Sequence, residues 1–373
     1  MAKRYFVTGA TGAIGSALIP LLLEEPDSQI WLLIRGKSSE HLMKRLEELF
    51  DFWEMAEPLA LDARKRIFPL LGDTDQNQFA LANEPYAKIA QQCTHIIHCA
   101  GVVKMNLPLE IARQHALGAA KNIVELALAC KQSGNLQKIE YVSTVGVGGK
   151  MPGILPETWI TKPREFHNTY EQSKAEAEIY LRDQIEQHHL PITVHRPSMV
   201  VGDSKTGKII HHQIFYHICE FLAGRRTYGL LPNLGNAKLD TIPVDYVASV
   251  IQWSSLQQDT AGEIFHLCSG PTQSIQLAEL QTIVRHMFRS QGFKVPVVIH
   301  LPISLFNAVL NFVAPWFSDK LQRAVRAFPF FLDYLADENG FDNSLTNQTY
   351  SCHPPSPLDY LATVLTEYRR IQR

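Results

Sequence analysis

Tyr170 and Lys174 stand four positions apart in the helical run Tyr170-Glu171-Gln172-Ser173-Lys174, so both project from one helix face. A phenol, with a pKa of about 10, exchanges protons poorly near neutrality unless a nearby ammonium stabilises the phenolate. Lys174 supplies that charge and can also bond the ribose of a dinucleotide. Upstream, Tyr141-Val142-Ser143-Thr144 closes a strand-like run and offers hydroxyls that can bind a substrate oxygen beside the tyrosine. A tyrosine and a lysine at this spacing recur by chance in many helices, so the pair gains meaning only from what precedes it.

What precedes it is Thr8-Gly9-Ala10-Thr11-Gly12-Ala13-Ile14-Gly15, which follows an apolar strand and opens a helix. Glycines at 9, 12 and 15 permit the tight turn, the close approach of backbone N–H groups to a pyrophosphate, and the packing of helix on strand. The helix N-terminus adds a partial positive charge. The second strand ends in Ile34-Arg35-Gly36-Lys37. An acidic residue at this point would hold a ribose 2′-hydroxyl, whereas Arg35 suits a 2′-phosphate, which makes NADPH the expected cofactor. Arg45 on the following helix can add a second cation. A solvated surface charge is the plain alternative for both. Leu71-Gly72-Asp73-Thr74 ends the third strand, where Asp73 can accept from an adenine amino group or cap a helix. Cys99-Ala100-Gly101 ends the fourth, where small residues let backbone pass beneath a cofactor.

These residues need strands that end in one crevice. β-branched runs at 4–8, 30–34, 65–71, 95–99, 138–143, 192–195 and 264–268 alternate with helical patterns at 14–24, 40–50, 109–131, 170–186 and 244–255. Such alternation predicts an α/β fold, a doubly wound Rossmann-type parallel sheet. The pattern loosens after Pro197. Residues 1–202, with 240–270 returning to them, are expected to form the NADP-binding domain. Residues 203–239 and 271–373 are expected to form a smaller, mostly helical substrate lobe. Pro20, inside the first helix, is expected to kink it.

Composition sets the limits. The chain has 373 residues, 35 basic against 37 acidic, and 46% hydrophobic residues. That length can bury a large core, and the near-neutral charge gives no electrostatic reason to expect nucleic acid. Six scattered cysteines without a CxxC, and a start that enters a strand with no secretory leader, point to reduced thiols and a cytoplasmic location. The charge-free stretch from Leu301 to Ser318 is broken by Pro302 and Pro315, so no transmembrane span is expected.

With these residues in view, the chain resembles the extended short-chain dehydrogenase/reductases, through 8–15, Asp73, Ser143-Thr144 and Tyr170 to Lys174. Within them it is most similar to the thioester-reductase and fatty acyl-CoA reductase branch. The carriers are Leu33-Ile34-Arg35, Ile96-Ile97-His98-Cys99-Ala100, the NIVELA run at 122–127, residues 195–207 and Ile242-Pro243-Val244-Asp245-Tyr246. The likeness covers about residues 4–270. It implies NADPH held by Gly9, Thr11, Gly12, Ala13, Ile14, Gly15, Arg35, Arg45, Asp73, Thr74, Cys99, Ala100, Gly101 and Ser143, with Pro197, Ser198, Met199 and Val200 passing near the nicotinamide. It also implies a catalytic set of Thr144, Tyr170 and Lys174, which touch the cofactor too. Thr144, 26 positions before Tyr170, fits the family spacing better than Ser143. One departure is Gln114-His115-Ala116, where the family often carries an asparagine.

The expected reaction is NADPH-dependent reduction of an acyl thioester, on CoA or an acyl-carrier protein, to an aldehyde, which a second hydride could carry to the alcohol. An NADP-dependent alcohol–ketone oxidoreductase or epimerase on a sterol-like or sugar-nucleotide substrate, and a non-catalytic NADP-binding module, are the competing readings. No metal site is expected from His188-His189, His211-His212 and His217, which lack ligand spacing. Aromatic residues between 301 and 331 read as lobe core, or as an acyl-chain wall able to rest on a membrane surface. Lys205, Lys208, Arg225 and Arg226 read equally as a phosphate-receiving patch or a solvated face.

Overall fold

Seven short β-branched and aromatic runs make one parallel sheet: β1 (Arg4–Thr8), β2 (Gln29–Ile34), β3 (Ile67–Leu71), β4 (His95–His98), β5 (Lys138–Val142), β6 (Ile192–Pro197) and β7 (Ile264–Leu267). Their spatial order in the computed structural model is β7-β6-β5-β4-β1-β2-β3. The structure describes residues 2–233, 235–313 and 340–371. Side chains alternate across the sheet with period two. Tyr5, Val7, Ile30 and Leu32 pack into the core on one face, and Phe6, Trp31, Leu33 and Ile96 into the core on the other. The sheet is therefore covered on both sides.

The chain winds outward from β1 to β3, then returns to lay β4 on the other side of β1. The order reverses there, and the carboxyl ends of β1 and β4 flank the crevice where open α/β sheets bind ligands. Residues 8–15 and 99–101 both lie at that point.

Three local outcomes differ from the sequence pattern. β3 begins at Ile67 rather than 65, because Lys65 and Arg66 close helix α3 (Glu57–Arg66). Basic residues suit a helix C-terminus, and Arg66 donates to the carbonyls of Leu23 and Glu25 while pairing with Asp62. The expected helix over 109–131 contains a π-helical turn at Gln114–Gly118 between two α-helical segments. Pro20 leaves α1 (Ala13–Leu23) a single continuous helix. The carbonyl that its missing N–H would have bonded, that of Ser16, accepts from Trp53 Nε1 at 2.7 Å, at the end of α2 (Ser39–Trp53).

A second apolar core gathers Phe215, Phe221, Leu280, Phe288, Tyr360 and Leu365. Short pairings tie it to the sheet: Met199–Val201 beside Thr241–Pro243, and Lys238–Leu239 beside Ile275–Gln276. Glu157 fastens the far end. Its carboxylate is buried and accepts from the backbone N–H of His266 (2.8 Å), Leu345 (2.6 Å) and Thr346 (3.2 Å), and from the Thr346 hydroxyl. Residues 314–339 of the aromatic stretch lie outside the described residues. Within the part described, Phe306 is buried and Phe312 exposed.

Candidate active site

β1 delivers Thr8 into a turn whose first glycine has φ of +74°, a conformation that L side chains rarely adopt. A Cβ on Gly9 would lie 2.5 Å from Ala100 N, and one on Gly15 2.2 Å from the Gly9 carbonyl oxygen. Both obstacles are backbone and cannot swing aside. Helix α1 then starts at Ala13 behind Gly12, which has extended backbone and no side-chain cap, so its first N–H groups are offered outward. Cys99 N donates to the Thr8 carbonyl at 3.1 Å, and Thr8 Oγ1 bonds His98 Nδ1 at 2.8 Å. Burial holds His98 down to about 3 and pushes the Cys99 thiol up to about 12, so both stay neutral and pack rather than react.

Two cations stand over this turn. Arg45 on α2 donates through Nη2 to Thr11 Oγ1 and through Nη1 to the Arg35 carbonyl at 2.5 Å. Burial and the neighbouring Arg35 both lower the Arg45 pKa. The Arg35 side chain is 62% exposed and only 4.0 Å from Asp73 Oδ2, so its guanidinium is largely open to an incoming anion. Asp73 uses Oδ1 to accept from Asp75 N at 3.1 Å, which braces the loop rather than capping a helix. Asn122, from the NIVELA run, donates to the Thr74 carbonyl at 2.8 Å and the Gln76 carbonyl at 3.0 Å. The uncapped helix, the glycine cradle and the paired arginines fit a phosphorylated dinucleotide.

Thr144, Tyr170 and Lys174 sit across the crevice. The helix Thr169–His188 is started by Asn168, whose side chain accepts from Glu171 N. Tyr170 on its first turn is half-buried, and the Thr144 hydroxyl lies close enough to its phenol to lower the phenol pKa. Thr144 Oγ1 also accepts from Gly146 N at 3.1 Å. Burial raises the Tyr170 pKa to about 12 against the lowering effect of Thr144. Lys174 is buried, donates to the Val142 carbonyl at 3.0 Å, and lies 5.4 Å from the Tyr141 ring centre. Burial brings its pKa down to about 8. Gly101 passes close by, since a Cβ there would come 3.7 Å from Lys174 Nζ. Ser143 is buried beside them, its hydroxyl without a partner among the described residues.

Pro197 ends β6, and Ser198 N donates to the Leu267 carbonyl at 3.0 Å. Met199 is buried in the second core, while Val200 packs against the sheet core. These residues continue from the strand next to β5, whose end carries Ser143 and Thr144.

Two cavities flank Tyr170. One, of about 240 Å³, is lined by Tyr170, Lys174, Gly101, Lys104 and His115. The other, of about 620 Å³, is lined by the glycine-rich segment 145–153 together with His167, Glu171, Lys238, Asp240 and Phe341. Sequence reasoning missed most of its wall. His167 Nδ1 and Glu171 Oε2 are 2.9 Å apart, a buried pair at helical spacing that could have been read. Asp240 is buried and accepts from Ser269 N, Gly270 N and Ser274 Oγ, segments that sequence spacing does not connect.

Of the basic patch, Lys208 pairs with Glu54 at 2.6 Å and Arg225 with Glu220 at 2.7 Å, which favours the plain reading for these two. Among the described residues, no group of three His, Cys, Asp or Glu is placed to hold a metal ion, and no helix is long and apolar enough to cross a membrane.

Comparison with known proteins agrees with this architecture. A family model described as Male sterility protein matches residues 7–251. The non-canonical nonribosomal peptide synthetase FrzA of a Cladobotryum species is 26% identical over 74% of this chain. A Drosophila melanogaster protein assigned provisionally as a fatty acyl-CoA reductase is 27% identical over 76% of it. The chain spans 27% of the first protein and 58% of the second. Among solved structures, the terminal R domain from the myxalamid PKS-NRPS biosynthetic pathway superposes with a TM-score of 0.80 at 25% identity, covering 99% of this chain and 91% of that one.

Proposed function

The chain belongs to the male sterility protein family, oxidoreductases of the extended short-chain dehydrogenase/reductase type, and on that premise we propose that it is an NADPH-dependent acyl-thioester reductase. The observation that supports this reading is the cavity shared by Tyr170, Lys174 and Gly101, with the Thr144 hydroxyl near the phenol and the glycine-built turn packed against Ala100 beside it. A pure binding module has no use for two convergent donors and a buried ammonium.

NADPH, when bound, supplies a hydride to the thioester carbonyl carbon. Gly9 and Gly15 shape the turn for its pyrophosphate, and Arg35 with Arg45 meets the 2′-phosphate. Thr144 and Tyr170 donate to the carbonyl oxygen as negative charge builds there, a contribution of about 3–4 kcal/mol per donor in comparable sites. Tyr170 passes its proton to that oxygen, and Lys174 restores the phenol. The hemithioacetal so formed loses its thiol as the hydroxyl proton moves to sulfur, leaving an aldehyde. A second round on the aldehyde gives the alcohol. The acyl group enters on CoA or on a carrier protein, consistent with the peptide synthetase and acyl-CoA reductase names among the relatives.

A screen of NADPH oxidation over acyl-CoA, carrier-bound acyl groups, aldehydes and ketones, with product identification, tests this reading. Aldehyde or alcohol should form from a thioester. Oxidation with ketones alone would overturn the thioester assignment and favour an alcohol–ketone oxidoreductase.

A further inference from the structure

Each reduction takes one proton through Tyr170, and Lys174, which must replace it, is buried. The ammonium therefore needs its own supply from solvent. The cavity of about 240 Å³ that Tyr170 and Lys174 line is also walled by two further ionisable groups, Lys104 and His115. Its ring sits in the π-helical turn Gln114–Gly118, a local widening often found at functional sites. Asp75, from the loop after β3, holds Nδ1 at 2.5 Å through a carboxylate that is only 9% exposed. A carboxylate accepts, so Nδ1 carries the proton and Nε2 is left to take and give one. The His115 side chain keeps 23% exposure, enough to meet solvent at the cavity mouth.

We propose that His115, oriented by Asp75, returns protons from solvent to Lys174 through the cavity they share. The proposal rests on Tyr170 being the proton donor. The steps balance. The Tyr170 phenolate takes a proton from the Lys174 ammonium, and the resulting amine takes one from a cavity water. That water is restored by the His115 imidazolium, which recharges from bulk solvent, for a net uptake of one proton per hydride.

The charged and titratable groups around the ring come from three elements. Asp75, backed by Asp73 and Arg35, lies on the β3 side; Lys104 follows β4; Tyr170 and Lys174 belong to the facing helix. Burial raises the Asp75 pKa, against a lowering effect from His115 that fits a working pair.

The test uses the full chain with NADPH and, as probe substrates, decanoyl-CoA and decanal. His115→Gln should lower kcat about tenfold, with KM unchanged. Added imidazole should restore much of the turnover of His115→Ala. An unchanged kcat in His115→Gln, or a loss with raised KM and no rescue, overturns the relay. Tyr170→Phe separates the two ideas. If it is inactive while His115→Gln behaves as wild type, only the relay falls; if it keeps turnover, the reading beneath it falls as well.

Discussion

Around Gly9 and Gly15 the chain is shaped by side chains it lacks, whereas around Glu157 and Asp240 it is shaped by carboxylates it buries. At the nucleotide turn, backbone approaches backbone so closely that a methyl group would collide at 2.2–2.5 Å. Elsewhere in the fold, two buried carboxylates collect N–H and hydroxyl donors from segments far apart in sequence, 266, 345 and 346 for Glu157, and 269, 270 and 274 for Asp240, which lines the larger cavity. The first device is local and fixed in shape. The second is long-range and can be rebuilt around a different ligand without disturbing the turn, which suits an enzyme type whose cofactor stays constant while its substrate varies.

Substitutions can break this contrast. Gly15→Ala carries the largest expected effect, because the added carbon meets a carbonyl oxygen that cannot move. A loss of about 3 kcal/mol or more in stability, with dinucleotide binding abolished, is expected by thermal melting and cofactor fluorescence. Glu157→Ala should cost a similar or slightly smaller amount, about 3 kcal/mol, by leaving several buried donors unpartnered. The difference lies in the second readout, since dinucleotide affinity of the folded fraction should stay unchanged. A joint loss of both would show that the two regions are not independent. Arg35→Asp should have the smallest effect, about 1.5–3 kcal/mol, read as a 10- to 100-fold fall in preference for NADPH over NADH in competitive binding. Equal losses for both dinucleotides would contradict the 2′-phosphate role.

The same contrast decides what could be read in advance. All seven strands were legible because each is a short run rich in β-branched or aromatic residues between helical patterns, and the turn was legible because its glycines follow a strand directly. Arg45 was a weaker inference, yet it lands on Thr11 because α2 returns along the turn. Glu157 was invisible, since a carboxylate in an irregular segment carries no periodic signal. The His115–Asp75 pair spans 40 positions and depends on one widened helical turn, which residue spacing alone does not announce. Pro20 lies within one continuous helix, and an indole meets the carbonyl that its ring leaves without an N–H.

That indole has a mechanical consequence. Trp53 pins the last residue of α2 to Ser16, and Arg45, midway along α2, reaches Thr11, so α2 is clamped to α1 and to the turn before it like the jaws of a calliper. The gap between the uncapped end of α1 and the two guanidinium groups is therefore set before any ligand arrives. A dinucleotide of matching length would enter without ordering either jaw, and one lacking the terminal phosphate would leave part of that prepared gap unfilled.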